Sequence, residues 1–206
     1  MTDRDVHEPI VEWGEAGSAL EAGVSGDLLV VAGFADGTLV AVLDGLGHGV
    51  EANAASRAAA RVLRSYAAEP VTVLLERCHE ALRGTRGAVM TLASFDARTS
   101  SMTWAAVGNV DAILLRADRT VQPRREALAP RGGVVGYQLP PLRATTLPVS
   151  RGDTLILATD GLRTAFTTGA DVPGTPSEVA RSLLDRFVRG NDDALVAVVR
   201  YRGSEP

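Results

Sequence analysis

With 206 residues, 46% of them hydrophobic and 22% charged, the chain has the composition of a folded globular protein, far from the polar regime that stays disordered. Its 25 acidic and 21 basic side chains give a net charge of −4, and every basic residue is arginine, which argues against nucleic-acid and membrane partners and leaves no lysine for Schiff-base or phosphate-loop chemistry. One cysteine and three histidines exclude a disulfide framework and a Cys/His zinc site, so a bound metal must take oxygen ligands.

The acidic start, MTDRDVHEPIVEWGE, lacks the apolar segment of a signal peptide, and no apolar run approaches the roughly 20 residues of a membrane span, so a cytoplasmic location is expected. Without repeats or linkers, residues 1–206 are expected to form one domain. Residues 28–34 (LLVVAGF) and 38–43 (TLVAVL) predict strands joined by an Ala35-Asp36-Gly37 turn. A helix follows, with Ala52, Ala55, Ala59, Val62, Leu63 and Tyr66 on its apolar face. After Pro70 a second helix buries Leu74, Leu75, Cys78, Ala81 and Leu82 and ends at Gly84. Residues 88–95, 102–107 and 112–116 predict a meander, its last two strands joined at Gly108-Asn109. Residues 119–148 carry five prolines and three glycines and read as loop with at most one edge strand. A strand at 154–159 precedes a capping box, Thr175-Pro176-Ser177-Glu178, which opens a helix buried through Ala180, Leu183, Leu184 and Phe187. The last strand spans 194–201. This order favours an α+β architecture of antiparallel sheets covered by helices over a doubly wound parallel sheet.

The informative feature is the position of the carboxylates. Asp27 stands just before one strand, Asp44 just after the next, Asp160 just after the strand at 154–159, and Asp192-Asp193 just before the last. Any one of them beside glycine is an ordinary turn residue. Together, at the ends of neighbouring antiparallel strands, they would converge at one rim, and a divalent cation is then the natural neutraliser. Asp36-Gly37 and Gly152-Asp153 read as turn residues only. Gly47, Gly49 and Ala52 satisfy the G-x-G-x-x-A dinucleotide pattern, but the parallel strand and terminal acid it requires are missing, so a nucleotide-binding protein is the weaker alternative. His7 and His79 read as structural, and Cys78 as core.

These strings, in order, resemble the metal-dependent protein phosphatase (PPM) family and its SpoIIE-like bacterial branch. The resemblance rests on Ser25-Gly26-Asp27, Asp44-Gly45-Leu46-Gly47-His48-Gly49, Arg86-Gly87-Ala88-Val89, Ala106-Val107-Gly108-Asn109-Val110, Ala158-Thr159-Asp160-Gly161 and Asn191-Asp192-Asp193. Within the branch, the lack of a sensor domain and the Gly108-Asn109-Val110 string are most similar to the free-standing feedback phosphatases of the stressosome. The resemblance implies the PPM-type αββα sandwich of antiparallel sheets flanked by helices. It also implies a phosphoserine/phosphothreonine protein phosphatase using a dimetal-activated water, acting on a phosphorylated STAS-domain or other stress-signalling protein.

Two Mn2+ or Mg2+ ions are then expected on Asp27, Asp44, the Gly45 carbonyl, Asp160, Asp192 and Asp193, with Asp44, Asp160 and Asp192 as the catalytic acids. His48, Arg86, Asn109 and Arg131 are the expected substrate-binding residues. Leu46 stands where many members carry the histidine that protonates the leaving group, so that role has no assigned residue. The same fold retained as a catalytically silent partner-binding module is the other alternative.

Overall fold

The structure is a computed structural model describing residues 9–20, 23–129, 131–169 and 173–203; His7, with the first eight residues of the acidic start, and Pro130 lie outside the described residues. Among the described residues ten strands form two five-stranded sheets. One runs in the order β1 (Val11–Ser18), β10 (Ala194–Tyr201), β9 (Thr154–Ala158), β6 (Asp111–Leu115), β7 (Arg125–Ala127). The other runs β2 (Asp27–Phe34), β3 (Gly37–Gly45), β4 (Ala88–Asp96), β5 (Ser101–Val107), β8 (Thr145–Pro148). Helices α1 (Gly49–Ser65) and α2 (Val71–Leu82) cover the second sheet. Helix α4 (Pro176–Phe187), preceded by the short α3 (Phe166–Gly169), covers the first.

This αββα layering explains why the central strands are apolar throughout. Side chains alternate across a strand, and in β3 both faces are covered. Leu39, Ala41 and Leu43 pack under Ala55, Ala59, Leu63, Leu74 and Leu75 of the helices. Val40 and Val42 face the inter-sheet core with Phe95, Trp104, Leu155, Leu157 and Val199. In β10, Val196 and Val198 meet Val179, Ala180 and Leu183 of α4, while Ala197 and Val199 point inward. Burying each such leucine or valine side chain contributes about 1.5–3 kcal/mol. The capping box of α4 forms as expected, with the Thr175 side chain accepting from Glu178 N and the Glu178 side chain accepting from Thr175 N.

The structure departs from the sequence reading at several points, and Tyr66 and Ala81, placed on the buried faces of their helices, are exposed. The segment VEWGEAGS near the acidic start is a strand, paired with β10 from Val11↔Tyr201 to Ser18↔Ala194. Its glycines hide the strand signal, yet Gly14 is required: a Cβ there would lie 2.3 Å from Ser177 N, at the start of α4. The expected meander is broken as well. β4 and β5 pair, but at Gly108-Asn109-Val110 the chain crosses to the other sheet, where β6 pairs with β9.

The residues 119–148 hold two short strands, β7 and β8, one on the edge of each sheet. Asp153, read as a turn residue, is 3% exposed. It accepts from Arg116 Nη1 at 3.0 Å, from Ala117 N at 2.9 Å and from Ser150 N at 3.1 Å, which ties the end of β6 to the turn before β9. His79 has the structural role expected of it: its Nδ1 accepts from Gly136 N at 3.0 Å and fastens that loop to α2. Every named strand pair among the described residues is antiparallel, which removes the βαβ context a dinucleotide site needs. No helix among the described residues is long and apolar enough to cross a membrane.

Candidate functional site

Antiparallel pairing decides where the acids go. Asp27 opens β2 and Asp44 nearly closes β3, and the two stand directly opposite in the ladder. Residues paired across antiparallel strands hold their Cβ atoms about 5 Å apart. Both carboxylates are half-buried. Burial foremost, then the charges of Asp193, Asp160 and Asp192, push Asp27 up to about 7, against the pull of a hydrogen bond from Thr159. Burial, followed by the charges of Asp27, Asp160, Asp192 and Asp193, pushes Asp44 up to about 8. The five predicted acids therefore lie within electrostatic reach of one another at one rim of the sandwich.

Hydrogen bonds orient these acids individually. Asp27 Oδ2 accepts from Thr159 Oγ1 at 2.7 Å, and the same hydroxyl oxygen accepts from Leu195 N at 2.9 Å. Thr159 thus stitches β2 of one sheet to β9 and β10 of the other. Asp160 Oδ2 accepts from Asn109 Nδ2 at 2.7 Å, so the crossing at Gly108-Asn109 delivers the amide that orients this carboxylate. Asp192 Oδ1 accepts from Asp193 N at 2.9 Å.

Asp193 is 4% exposed, and its two oxygens accept from Leu20 N and Gly26 N, both at 2.7 Å. It clamps the turn before β2 to the start of β10, which is a positioning role beside the metal-ligand role expected of it. Asp44 accepts no side-chain hydrogen bond from the described residues, and none of the five acids forms an ion pair with them.

Glycine makes the loop between β3 and α1 possible. A Cβ on Gly45 would sit 2.1 Å from Ala52 O, so the first turn of α1 presses directly on Asp44-Gly45. The same helix holds the Ser25-Gly26-Asp27 turn, through Asn53 Nδ2 donating to Ser25 O at 2.7 Å and Ser56 Oγ donating to Gly26 O. His48 occupies the N-cap of α1 in extended conformation, exposed and with no side-chain cap bond. The Arg86 guanidinium lies over Gly47 and pairs with Glu51. The Arg131 carbonyl accepts from Gly108 N at 2.7 Å, which brings the residue beside Asn109.

Sequence reasoning missed two participants. Thr159 was visible only as the neighbour of Asp160, although a threonine beside an acid at a strand end is a donor in reach of a facing carboxylate. Asp111 opens β6 opposite Ala158, and burial, then the Asp160 charge, raise its carboxyl above the usual range. It follows Asn109 by two residues, which was the available signal.

The donor chemistry fits a hard divalent cation. All the candidate ligands are oxygen, and Asp27, Asp160 and Asp192 each give one oxygen to a protein donor and keep the other for another partner. Among the described residues no three acidic, histidine or cysteine side chains close around one point. The backbone register nevertheless sets Asp27 directly opposite Asp44.

Comparison with known proteins agrees with the fold described above. The family model Stage II sporulation protein E (SpoIIE) matches residues 35–202. The chain belongs to the SpoIIE family. Within reach of that family it is 32% identical over 126 residues to phosphoserine phosphatase RsbX of Bacillus subtilis (strain 168), an alignment spanning 60% of this chain and 60% of that protein. A solved chain described with the bacterial stressosome superposes with a TM-score of 0.82 at 29% identity, covering 92% of this chain and 99% of that one. RsbX in complex with magnesium gives a TM-score of 0.81 at 24% identity, over 96% and 97% of the two chains. The PP2C phosphatase domain of Bacillus subtilis SpoIIE gives 0.75 at 21% identity, over 95% of this chain and 64% of that one. The family fold is thus the PP2C sandwich described above.

Proposed function

We propose that the chain is a metal-dependent phosphoserine/phosphothreonine protein phosphatase of bacterial stress signalling, with residues 1–206 acting as one catalytic domain. The observation that carries this reading is the facing pair Asp27 and Asp44, held at about 7 and 8 by burial and by three further acids, with no cation among the described residues to compensate them. A scaffold with no metal chemistry gains nothing from concentrating such charges. The likeness to RsbX, a phosphoserine phosphatase also solved with magnesium, supports it.

Two Mg2+ or Mn2+ ions are proposed on Asp44, Asp27, Asp160, Asp192 and the Gly45 carbonyl. Bound ions supply the Lewis-acid charge for in-line hydrolysis of a phosphate ester. The chain's own residues set the stage for it. Thr159 fixes the rotamer of Asp27, Asn109 that of Asp160, and Asp193 the path of the backbone on which Asp27 sits. His48, Arg86 and Arg131 are proposed to contact the phosphoryl group or its peptide. The substrate class, a phosphorylated STAS-domain or other stress-signalling protein, is proposed from the stressosome chain and RsbX among the relatives.

The test is hydrolysis of p-nitrophenyl phosphate with and without Mn2+ by the native protein, Asp44→Asn and Asp160→Asn. Activity that requires the metal and falls about 100-fold or more in both variants is expected. Metal-independent turnover, or an unaffected Asp44→Asn, would refute the reading. The open arrangement of the acidic side chains keeps the silent partner-binding module as the second reading. Absence of turnover under every metal, beside tight binding of a signalling partner, would favour that one.

A further inference from the structure

The end of the sandwich away from the acids carries a different kind of site. β2 runs from Asp27, paired with Asp44, to Phe34, paired with Gly37. At about 3.3 Å per residue the two ends of the strand are roughly 23 Å apart. At the Phe34 end, between the edge strands β1 and β2, lies a cavity of about 660 Å3, within the range of small-molecule sites. Part of its wall is apolar, formed by Ile10, Val31 and Phe34, and Trp13 stands in it 45% exposed. An aromatic of that size left in a concave, solvent-reached wall offers a stacking face.

The charge around this cavity is the reverse of that at the acidic rim. Arg98, Arg151 and Arg202 line it against a single acid, Asp36. The three come from separate segments, each fixed by a backbone hydrogen bond close to its arginine. Ala97 N donates to Asp36 O at 2.8 Å, Gly152 N to Tyr201 O at 2.8 Å, and Arg202 N to Ile10 O at 2.8 Å. The existing ion pairs are loose. Arg98 reaches Asp36 at 3.6 Å with side chains 75% and 51% exposed, and Arg202 reaches Glu12 at 3.3 Å with side chains 48% and 31% exposed. Such exposed pairs contribute little and exchange readily for a better anion. Arg151 has no ion-pair partner among the described residues.

We propose that this cavity is a second ligand site, for a small soluble anion with an aromatic or aliphatic body: the body against Trp13, Val31 and Phe34, the charge on Arg98 and Arg151. The occupant's chemistry follows from the lining, since an apolar wall alone would take a neutral ligand and guanidinium groups alone would take inorganic phosphate. The site is independent of the acidic rim and of any metal held there.

The test is a fluorescence titration of the 206-residue chain, in EDTA, with 1-anilinonaphthalene-8-sulfonate as the anionic probe and N-phenyl-1-naphthylamine as its neutral analogue. Saturable one-to-one binding is expected, with energy transfer from tryptophan, and with the neutral probe about tenfold or more weaker. Arg98→Gln combined with Arg151→Gln should weaken the anionic probe by a similar factor.

Gly33 supplies a second, uncharged variant. It shares the face of Val31, lines the cavity, and has nothing within 4 Å of the place a Cβ would take. Gly33→Ile should therefore intrude on the apolar wall and weaken binding of the anionic probe about tenfold or more, while near-UV circular dichroism and the melting temperature show the fold retained. Non-saturable binding, equal binding of the two probes, or binding unchanged in Gly33→Ile and in the double arginine variant would each overturn the proposal.

Discussion

Asp44→Asn should stabilise the metal-free protein at alkaline pH while abolishing its response to added metal. Asp44 stands at about 8 in the folded chain, against an ordinary 3.8, so folding takes up a proton there. A folded-state pKa above the unfolded one makes stability fall as pH rises, beginning near the unfolded value of about 4 and complete above the folded value of about 8. At about 1.4 kcal/mol for each tenfold change in proton affinity, the difference between those two values sets a ceiling near 6 kcal/mol.

Solvent at the half-buried carboxylate, and the sharing of one repulsion between Asp44 and Asp27, bring the expected gain of Asp44→Asn at pH 8.5 to about 2–3 kcal/mol, or roughly 5–10 °C in melting temperature for a chain of this size. The assay is thermal unfolding by circular dichroism in EDTA at pH 5 and pH 8.5, then with Mg2+ or Mn2+ added. The variant should melt above the native protein at pH 8.5, the two should converge at pH 5, and the metal should raise only the native protein. A variant that melts below the native protein at pH 8.5 in EDTA would refute the account of Asp44 as an uncompensated buried charge.

Thr159→Val keeps the shape of the side chain but removes the donor to Asp27 and leaves the buried Leu195 N–H without its hydroxyl partner. A loss of about 1–3 kcal/mol is expected, with weaker Mg2+ or Mn2+ binding by calorimetry; an unchanged melting temperature would show that the hydroxyl does not bridge the sheets. Cys78 is fully buried between α1 and α2, and burial pushes its thiol up to about 12. It should therefore resist a disulfide reagent at pH 8 in the native protein and react stoichiometrically once unfolded, and fast labelling of the folded chain would contradict its placement.

Much of this architecture was legible because local pattern and burial agree. β10 and the capping box of α4 stand where the sequence placed them, since an apolar run bounded by Asn191-Asp192 and a Thr-Pro-Ser-Glu start depend on nothing distant. The crossing at Gly108-Asn109 was not legible. Gly108 has φ +97, and a Cβ there would meet the Val89 side chain at 2.2 Å, so the glycine serves a close approach to β4 as the chain leaves its sheet. From sequence, a tight turn within one sheet and a passage between two sheets call for the same residues. The segment 119–148 was opaque because its order is non-local: Val135 exchanges backbone hydrogen bonds with Ala88, and Gly136 is held by His79.

The acids were legible as a group for a reason the fold makes plain. An aspartate at a strand end costs little by itself, and only antiparallel pairing turns such positions into neighbours, as the register Asp27↔Asp44 does. What holds them in place was hidden, because it lies in contacts between the two sheets. The Thr159 hydroxyl and the Asp193 carboxylate join the strand ends of β9 and β10 to β2 and its preceding turn. Repulsion among the acids pushes against those same bonds. The rim is therefore held by a few polar clamps against its own charge, and neutralising that charge should tighten the inter-sheet contact and the site together.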